Sequence, residues 1–180
     1  MIRELIKNSL ETDADLPKLQ KAYDKFEKTA SHINARKKDS QSLEMVYNLH
    51  STLVGLSSPL ITASRRFVRE GVLDSVSSVT NVNKTKPVMV YLFNDLIVLA
   101  KSRPDWRGKR AVLREISLES LKSVQLIRVV DVDAMVIVPE NPTLSCVFCD
   151  RENGAIKEWI DEIAETKNKL KKNISSRRKL

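Results

Sequence analysis

The first 54 residues carry apolar positions at helical spacing and contain no glycine. Apolar residues that recur every three or four positions form one face of a helix, so this stretch is predicted to be helical. Short polar residues between Thr12 and Asp15 can cap a helix, and Pro17 suits the first turn of the next one. Two helices are therefore expected. Their apolar positions are Ile2, Leu5, Ile6 and Leu10, followed by Leu16, Leu19, Tyr23, Phe26, Ala30 and Ile33.

The second helix meets no stop signal before Gly55. It is predicted to span about 38 residues, or nearly 60 Å at 1.5 Å per residue. Its middle, residues 36–42, is wholly polar, and its apolar positions resume at Leu43 and Val46. A helix buried throughout in one compact domain would not have such a gap. We therefore expect a connecting helix that packs on one unit at its start and reaches another at its end. The alternative is two shorter helices with a kink near residue 40.

From Arg66 onward the apolar residues fall in short runs typical of strands. Asn94 and Asp95 separate two of these runs and indicate a tight hairpin. Seven short strands without an intervening helix predict an antiparallel sandwich or barrel. The predicted runs are Phe67 to Leu73, Val88 to Phe93, Leu96 to Leu99, Ala111 to Ile116, Ser123 to Val130, Met135 to Val138 and Leu144 to Phe148.

A last helix is predicted from about Ala155 to Lys172. Its first half is acidic and its second half is rich in lysine, an order that suits the helix dipole. Its apolar face is expected to pack against another part of the domain, and the open end of the barrel is the surface it is predicted to cover. The residues of that face are Ile156, Trp159, Ile160, Ile163 and Leu170. The predicted fold class is α+β, with a long N-terminal helix joined to a seven-stranded sandwich or barrel that the last helix caps.

The chain is basic, with a formal net charge of +8 and a pI of about 9.5. This charge indicates an anionic partner such as an inositol lipid, an acidic protein face or nucleic acid. No apolar run approaches the roughly 20 residues that span a bilayer, and no signal-peptide pattern follows Met1. The protein is therefore expected to be soluble and intracellular and able to touch a membrane surface.

The sequence offers little for catalysis or for metal binding. Cys146 and Cys149 are flanked by strand-like residues, and His32 and His50 lie far away in a predicted helix. We therefore interpret the cysteines as reduced thiols and expect no metal site and no cofactor. No nucleophile has a plausible base, and no glycine-rich phosphate loop is present. The chain itself is not expected to be an enzyme, and no catalytic residue is predicted.

Seven strands followed by a helix that carries Trp159 resemble a pleckstrin-homology (PH) domain. Two segments, Arg66 to Leu73 and Tyr91 to Leu96, look like the version of this domain in Dbl-family exchange factors, and Leu-Phe-Asn-Asp-Leu within the second is a fairly specific mark. Upstream, Ile2 to Lys7 and Ala30 to Asn34 are similar to the end of a Dbl-homology (DH) domain. The resemblance covers nearly the whole chain in the right order. It implies DH helices at 1–54, a linker at 55–65, a PH domain at 66–173 and a basic tail at 174–180.

The resemblance implies a fragment of a Rho-family guanine-nucleotide exchange factor. In that family the DH domain binds a Rho GTPase and releases GDP, and the PH domain supports the GTPase, a membrane lipid or both. Asn34 matches a position where the family often places an asparagine against the GTPase, and the alternative is an ordinary exposed polar residue. The family's first DH helix has no counterpart here. The chain alone is therefore expected to lack exchange activity.

The resemblance also implies a lipid site, but this sequence departs from the pattern of strong phosphoinositide binders. Those domains bring several cations together on phosphates, whereas Asp74, Ser75 and Val88 stand where cations are expected. The remaining cations predict weak, salt-sensitive attraction to anionic lipid, and a solvated basic surface is the alternative. They are Lys84, Lys86, Lys101, Arg103, Arg107, Lys109 and Arg110, with a further contribution from the tail between Lys167 and Lys179.

A rival hypothesis is a stand-alone PH-type adaptor that binds anionic lipid or peptide without a GTPase. The N-terminal helices disfavour it, because a free PH domain has no use for them. Nucleic acid is not expected as a partner, since Tyr91 and Phe93 sit beside a hairpin signal rather than in a repeated surface motif. The expected location is the cytoplasm, with peripheral attachment to the plasma membrane.

Overall fold

The structure is a computed structural model that describes residues 2–8, 15–76, 85–129, 132–149 and 155–177. Its helices are α1 (Ile2–Asn8), α2 (Leu16–Thr52) and α3 (Ile156–Arg177), with a short 3-10 helix at Pro142–Leu144. Its strands are β1 (Leu53–Val54), β2 (Phe67–Val76), β3 (Thr85–Phe93), β4 (Leu96–Lys101), β5 (Arg110–Ser117), β6 (Leu121–Val129), β7 (Val132–Pro139) and β8 (Cys146–Cys149). No helix among these residues combines the length and apolar character that crossing a bilayer requires.

The chain divides into two compact units, an N-terminal unit of Met1–Gln41 and a C-terminal unit of Ser42–Leu180. The N-terminal unit contains α1 and the first part of α2, and none of its described residues is buried. The predicted long helix is confirmed, because α2 is one uninterrupted helix of 37 residues. The kinked alternative is therefore wrong. The predicted domain boundaries at residues 54, 65 and 173 stay predictions.

The strands of the C-terminal unit form one sheet in the order β1-β5-β4-β3-β2-β8-β7-β6. Every neighbouring pair is antiparallel except β1 and β5, which run parallel. The predicted fold class is confirmed, with seven antiparallel strands and the addition of the two-residue β1. The β3–β4 hairpin is apolar at almost every position because both faces are covered. Alternate residues therefore enter two separate cores.

The first core lies on one face of the hairpin and is completed by α3. Val90, Leu92 and Ile97 supply the hairpin side of this core, and Trp159 and Ile163 supply the helix side. The last helix is confirmed to bury its predicted apolar face, since Trp159 is only 2% exposed. The expectation that this face covers the open end of a barrel stays a prediction. A well-packed helix of this kind fixes the sheet from one side.

Trp159 also explains two residues of β2. The glycine at position 71 lies beneath the indole, and a Cβ placed there would lie 3.1 Å from Cζ2 of Trp159. Arg69 lies over the same ring, with its guanidinium carbon 4.8 Å from the ring centroid. Its guanidinium donates to Glu158 at 3.0 Å and to Glu162 at 3.2 Å. Gly71 therefore lies inside a continuous strand and leaves room for the indole.

The second core lies on the other face of the hairpin. Tyr91, Phe93 and Val98 point into it from β3 and β4. The end of α2 contributes Val46 and Leu49, and the segment after α2 contributes further apolar side chains. Those side chains are Leu53, Leu56, Leu60 and Ile61. The segment 55–65, which the sequence predicts to be a linker, is thus packed against the sheet.

Two boundaries differ from the prediction for local reasons. The strand predicted from Leu144 begins at Cys146, because Asn141 caps a 3-10 turn by accepting from the amide of Thr143. The last helix continues to Arg177 instead of ending near Lys172. No glycine or proline stops it, and the hydroxyls of Ser175 and Ser176 donate to carbonyls one turn earlier.

Candidate functional site

Asn34, the predicted GTPase contact, lies on α2 within the N-terminal unit and is exposed. Its neighbours along the helix are exposed as well, including Phe26 at 62% and Ile33 at 61%. These two apolar side chains are seven residues apart and thus lie on the same side of the helix. We name Phe26, Ala30 and Ile33 the apolar stripe of α2. The role of Asn34 stays a prediction.

The predicted lipid-binding cations lie at one end of the sheet or in the adjoining loop. Lys101 ends β4 and pairs with Val88, and Lys86 lies two residues before Val88 on β3. These three positions share a face of the sheet. Val88, where strong phosphoinositide binders carry a cation, is buried in the first core. Lys86 and Lys101 are exposed.

The remaining cations are distributed over different surroundings. Arg103, Arg107 and Lys109 are exposed in the loop between β4 and β5. Arg110 begins β5 and pairs with Leu53 of β1, and its Nε is buried without a hydrogen-bond partner in the part of the chain described. Lys84 lies outside the described residues. The described cations therefore occupy two kinds of backbone position, strand ends and the β4–β5 loop.

The loop from Lys101 to Arg110 is built around Asp105. Its carboxylate accepts from the backbone amide of Arg107 at 2.9 Å and from that of Lys109 at 2.8 Å. Gly108 closes the turn in the left-handed region with φ +74°, and its amide donates to the carbonyl of Asp105. At the tip, Trp106 is 86% exposed. The guanidinium carbon of Arg107 lies 4.3 Å from the centroid of the Trp106 ring.

Trp106 was not among the predicted site residues. A tryptophan between arginines in a stretch with proline and glycine could have indicated an exposed aromatic side chain. Trp106 stands on a turn that the Asp105 carboxylate closes through the amides of Arg107 and Lys109. This is a local turn signal that the hydrophobic pattern does not carry.

A network between the Asn94-Asp95 turn and the segment before β2 was also not predicted. Arg65 is buried, and its guanidinium donates to both carboxylate oxygens of Asp95, with Nη2 to Oδ2 at 2.8 Å and Nε to Oδ1 at 2.9 Å. The same guanidinium donates to the carbonyl of Leu60 at 3.1 Å. Asn94 accepts from the amide of Arg66 at 2.8 Å. We name Arg65, Asn94 and Asp95 the turn lock.

A cavity of about 460 Å³ opens between β5 and β8. Arg114 lines it and donates to Sγ of Cys146 at 2.9 Å. Burial raises the pKa of the Cys146 thiol above its ordinary value and outweighs the opposing effect of the Arg114 guanidinium. The thiol is therefore a poor nucleophile at neutral pH. Cys146 and Cys149 are three residues apart on a strand and so point to opposite faces, which separates their sulfurs.

The described residues contain no group of three histidine, cysteine, aspartate or glutamate side chains that could hold a metal ion. Basic and apolar side chains dominate the surfaces described above.

Sequence comparison gives relatives with a common theme. No family model matches the chain. It is 28% identical over 103 residues to a Dictyostelium discoideum protein named guanine exchange factor for Rac 30, which covers 57% of this chain. It is 25% identical over 155 residues to Rac guanine nucleotide exchange factor B of the same organism, which covers 86% of this chain. The chain spans only 6% and 12% of the length of these relatives.

Comparison of structures shows the fold directly. The DH/PH fragment of PDZ-RhoGEF, solved in complex with human RhoA, matches 93% of this chain with a TM-score of 0.71 and 18% identity. The chain covers 50% of that fragment. In fold it matches the DH/PH unit, and in sequence it is similar to Rac exchange factors. The chain therefore resembles the end of a DH domain followed by the PH domain of a Rho-family guanine-nucleotide exchange factor.

Proposed function

We propose that this chain is the C-terminal part of the exchange unit of a Rho-family guanine-nucleotide exchange factor. The observation that carries the proposal is the match over 93% of the chain to a DH/PH fragment that was solved with RhoA. The match includes both the helices before the sheet and the sheet itself. A stand-alone PH-type adaptor would explain the sheet but not the helices. The partner of the parent protein is accordingly a Rho-family GTPase.

The apolar stripe of α2 supports this proposal. Phe26 and Ile33 are more than 60% exposed, although both are large apolar side chains at helical spacing. Such a face is normally covered by another helix. The occupant we propose is the remainder of the DH domain in the parent protein. The chain by itself would then bind a GTPase incompletely and would not release its nucleotide.

The proposed role of the C-terminal unit is to support the GTPase and to attach the protein to a membrane or to a partner. Lys86, Lys101 and the exposed cations of the β4–β5 loop supply the positive charge for this attachment. Each such cation contributes about 1 kcal/mol near an anionic surface, and salt screens the attraction. Because Asp74, Ser75 and Val88 stand where strong phosphoinositide binders carry cations, attachment follows total lipid charge and not the position of a phosphate. The protein is then cytoplasmic and peripheral at the plasma membrane.

Nucleotide exchange provides the direct test. We expect the 180-residue chain to leave the rate of GDP release from Rho-family GTPases unchanged. A form extended upstream by roughly 150 residues, one further domain, should accelerate it. The measurement is stopped-flow release of a fluorescent GDP analogue from RhoA and from Rac. In the extended form, Asn34→Ala should lower exchange about tenfold through loss of hydrogen bonds to the GTPase.

The matched control is His32→Ala in the extended form. His32 is exposed on the same helix but lies two residues away, and hence on the opposite side. Its substitution should change exchange less than twofold. Exchange by the short chain would contradict the proposed incompleteness. Inactivity of the extended form on every Rho-family GTPase would refute the exchange function and leave the adaptor hypothesis.

A further inference from the structure

We infer that the β4–β5 loop is a membrane-insertion element in which Trp106 enters the interfacial region of an anionic bilayer. The inference rests on the proposed function, because it specifies how the C-terminal unit attaches to a membrane. It adds an apolar component to an attachment that the cations alone would make purely electrostatic. The partner is a lipid surface, and the residue that distinguishes the mode of binding is Trp106.

The exposure of Trp106 is the first argument. At 86% it is the most exposed large hydrophobic side chain in the described part of the protein, ahead of Phe26 at 62%. A tryptophan normally buries a large apolar area, and leaving it in water has no benefit for folding. Tryptophan is also the side chain most typical of the membrane interface, since its ring is apolar and its N–H can remain hydrated.

The rigidity of the turn is the second argument. The carboxylate of Asp105 holds the amides of Arg107 and Lys109, and Gly108 takes the left-handed conformation that closes the turn. The ring is stacked under the guanidinium of Arg107 at 4.3 Å. Trp106 is thus presented outward before any ligand arrives. Insertion of a preorganised side chain loses little conformational entropy.

The charge around the ring is the third argument. The loop from 101 to 110 contains five basic residues and one acidic residue. That acidic residue is Asp105, whose carboxylate is occupied by backbone amides. Arg103, Arg107 and Lys109 are exposed and can reach lipid phosphates while the ring sits deeper. An aromatic side chain at the loop tip with basic side chains around it is complementary to an anionic bilayer in both charge and polarity.

Other partner classes fit the loop less well. A single-stranded nucleic acid is usually held by several aromatic rings on which successive bases stack, and this loop carries one ring. A protein hot spot usually fills a well-packed, desolvated pocket near the centre of an interface, whereas Trp106 stands at the tip of a protruding loop and is 86% exposed. We therefore assign the loop to a membrane.

Intrinsic fluorescence tests the inference, because the chain contains two tryptophans and the other one is buried. The probes are phosphatidylcholine vesicles with and without phosphatidylserine, and vesicles of matched charge that contain phosphoinositides. We expect a blue shift of Trp106 emission and quenching by brominated lipid on anionic vesicles only. Trp106→Phe provides the background from Trp159 and should show neither change.

Vesicle sedimentation supplies a second readout. Trp106→Ala should weaken partition about tenfold, the change expected when about 60 Å² of apolar ring is no longer buried. Tyr47→Ala removes an exposed aromatic side chain from α2 and should change partition less than twofold. Because Trp106 is exposed, its variants should fold, and circular dichroism would verify this.

Three results would overturn this inference, and they differ in what they leave of the proposed function. Binding to anionic vesicles with Trp106 still accessible to aqueous iodide, and unaffected by Trp106→Ala, would overturn the inference and leave membrane attachment intact. Absence of binding to any anionic vesicle at low salt would overturn both the inference and the proposed membrane attachment. A response of Trp106 to single-stranded RNA but not to vesicles would also overturn the inference and would assign the loop to base stacking.

Discussion

At the scale of single residues, the turn lock shows why the Asn94-Asp95 pair stands in the hairpin. The sequence motif Leu-Phe-Asn-Asp-Leu predicts a tight turn, but the side chains of the turn do more than permit it. Asp95 neutralises the buried guanidinium of Arg65, and Asn94 exchanges hydrogen bonds with the backbone at residues 64–66. The hairpin and the segment before β2 are therefore fixed to each other.

Removal of the Asp95 side chain should lower the free energy of unfolding. Asp95→Ala leaves the Arg65 guanidinium buried with only carbonyl partners, and we expect a loss of about 2–3 kcal/mol in the free energy of unfolding. Asp95 is partly exposed, so the cost falls below that of a fully buried pair. Urea denaturation measures the difference.

Asp133→Ala is the control for this change. Asp133 pairs with Lys157 at 3.8 Å, and their side chains are 44% and 68% exposed. Its substitution should cost less than about 0.5 kcal/mol. Equal effects of the two substitutions would mean that the turn lock does not contribute to stability.

At the scale of elements, hydrophobic period predicted most of the fold. The helix α2 was predictable because its apolar residues keep a helical spacing on both sides of the polar stretch. The strands were predictable because apolar runs alternate with turn residues. The strand β1 was not predictable, because a two-residue pairing with β5 depends on where α2 ends in space. The contacts of Arg65 were hidden for the same reason, since its partner Asp95 is 30 residues away.

The contact between α3 and β2 gives a prediction about coupling. Trp159→Ala should destabilise the protein by about 3–5 kcal/mol, because it removes a large buried aromatic side chain. Gly71→Ala should cost about 1 kcal/mol, since its Cβ would lie 3.1 Å from the Trp159 ring. In the Trp159→Ala background, the new methyl group meets open space, and Gly71→Ala should be neutral or stabilising.

A double-mutant cycle in urea measures this coupling. Additive effects of the two substitutions would contradict the close packing of the indole on Gly71. Gly108→Ala is a useful comparison, because that glycine meets nothing within 4 Å but has φ +74°. Its cost should come from backbone strain and should be unaffected by Trp159→Ala.

At the scale of the whole molecule, the two units differ in how many of their side chains are buried. The C-terminal unit has cores on both faces of the β3–β4 hairpin, whereas no described residue of the N-terminal unit is buried. A single helix, α2, belongs to both units. Its sequence predicted this division through the polar stretch 36–42, although the role of Asn34 and of the cations at the sheet end could not be fixed from pattern alone. Those roles depend on partners that the sequence does not contain.

Amide hydrogen exchange should reveal a gradient along α2. We expect amides before Gln41 to exchange at least about 100-fold faster than those after Val46, because local opening there breaks few buried contacts. Val46 and Leu49 are buried in the second core, so opening beyond them costs more. Mass spectrometry of peptic fragments measures the difference. Equal protection along the whole helix would contradict this prediction, and α3 around Trp159 serves as the protected reference.

The packing of the segment 55–65 determines how short the protein can be made. A truncated form that began at Arg66 would retain all seven antiparallel strands and α3. It would nevertheless lose Val46, Leu49 and Leu60, and Tyr91 and Phe93 would then face water. Such a form would expose an apolar face of the sheet to solvent and would tend to self-associate. The shortest form that keeps both faces of the sheet covered therefore starts at the last turns of α2, upstream of the first strand.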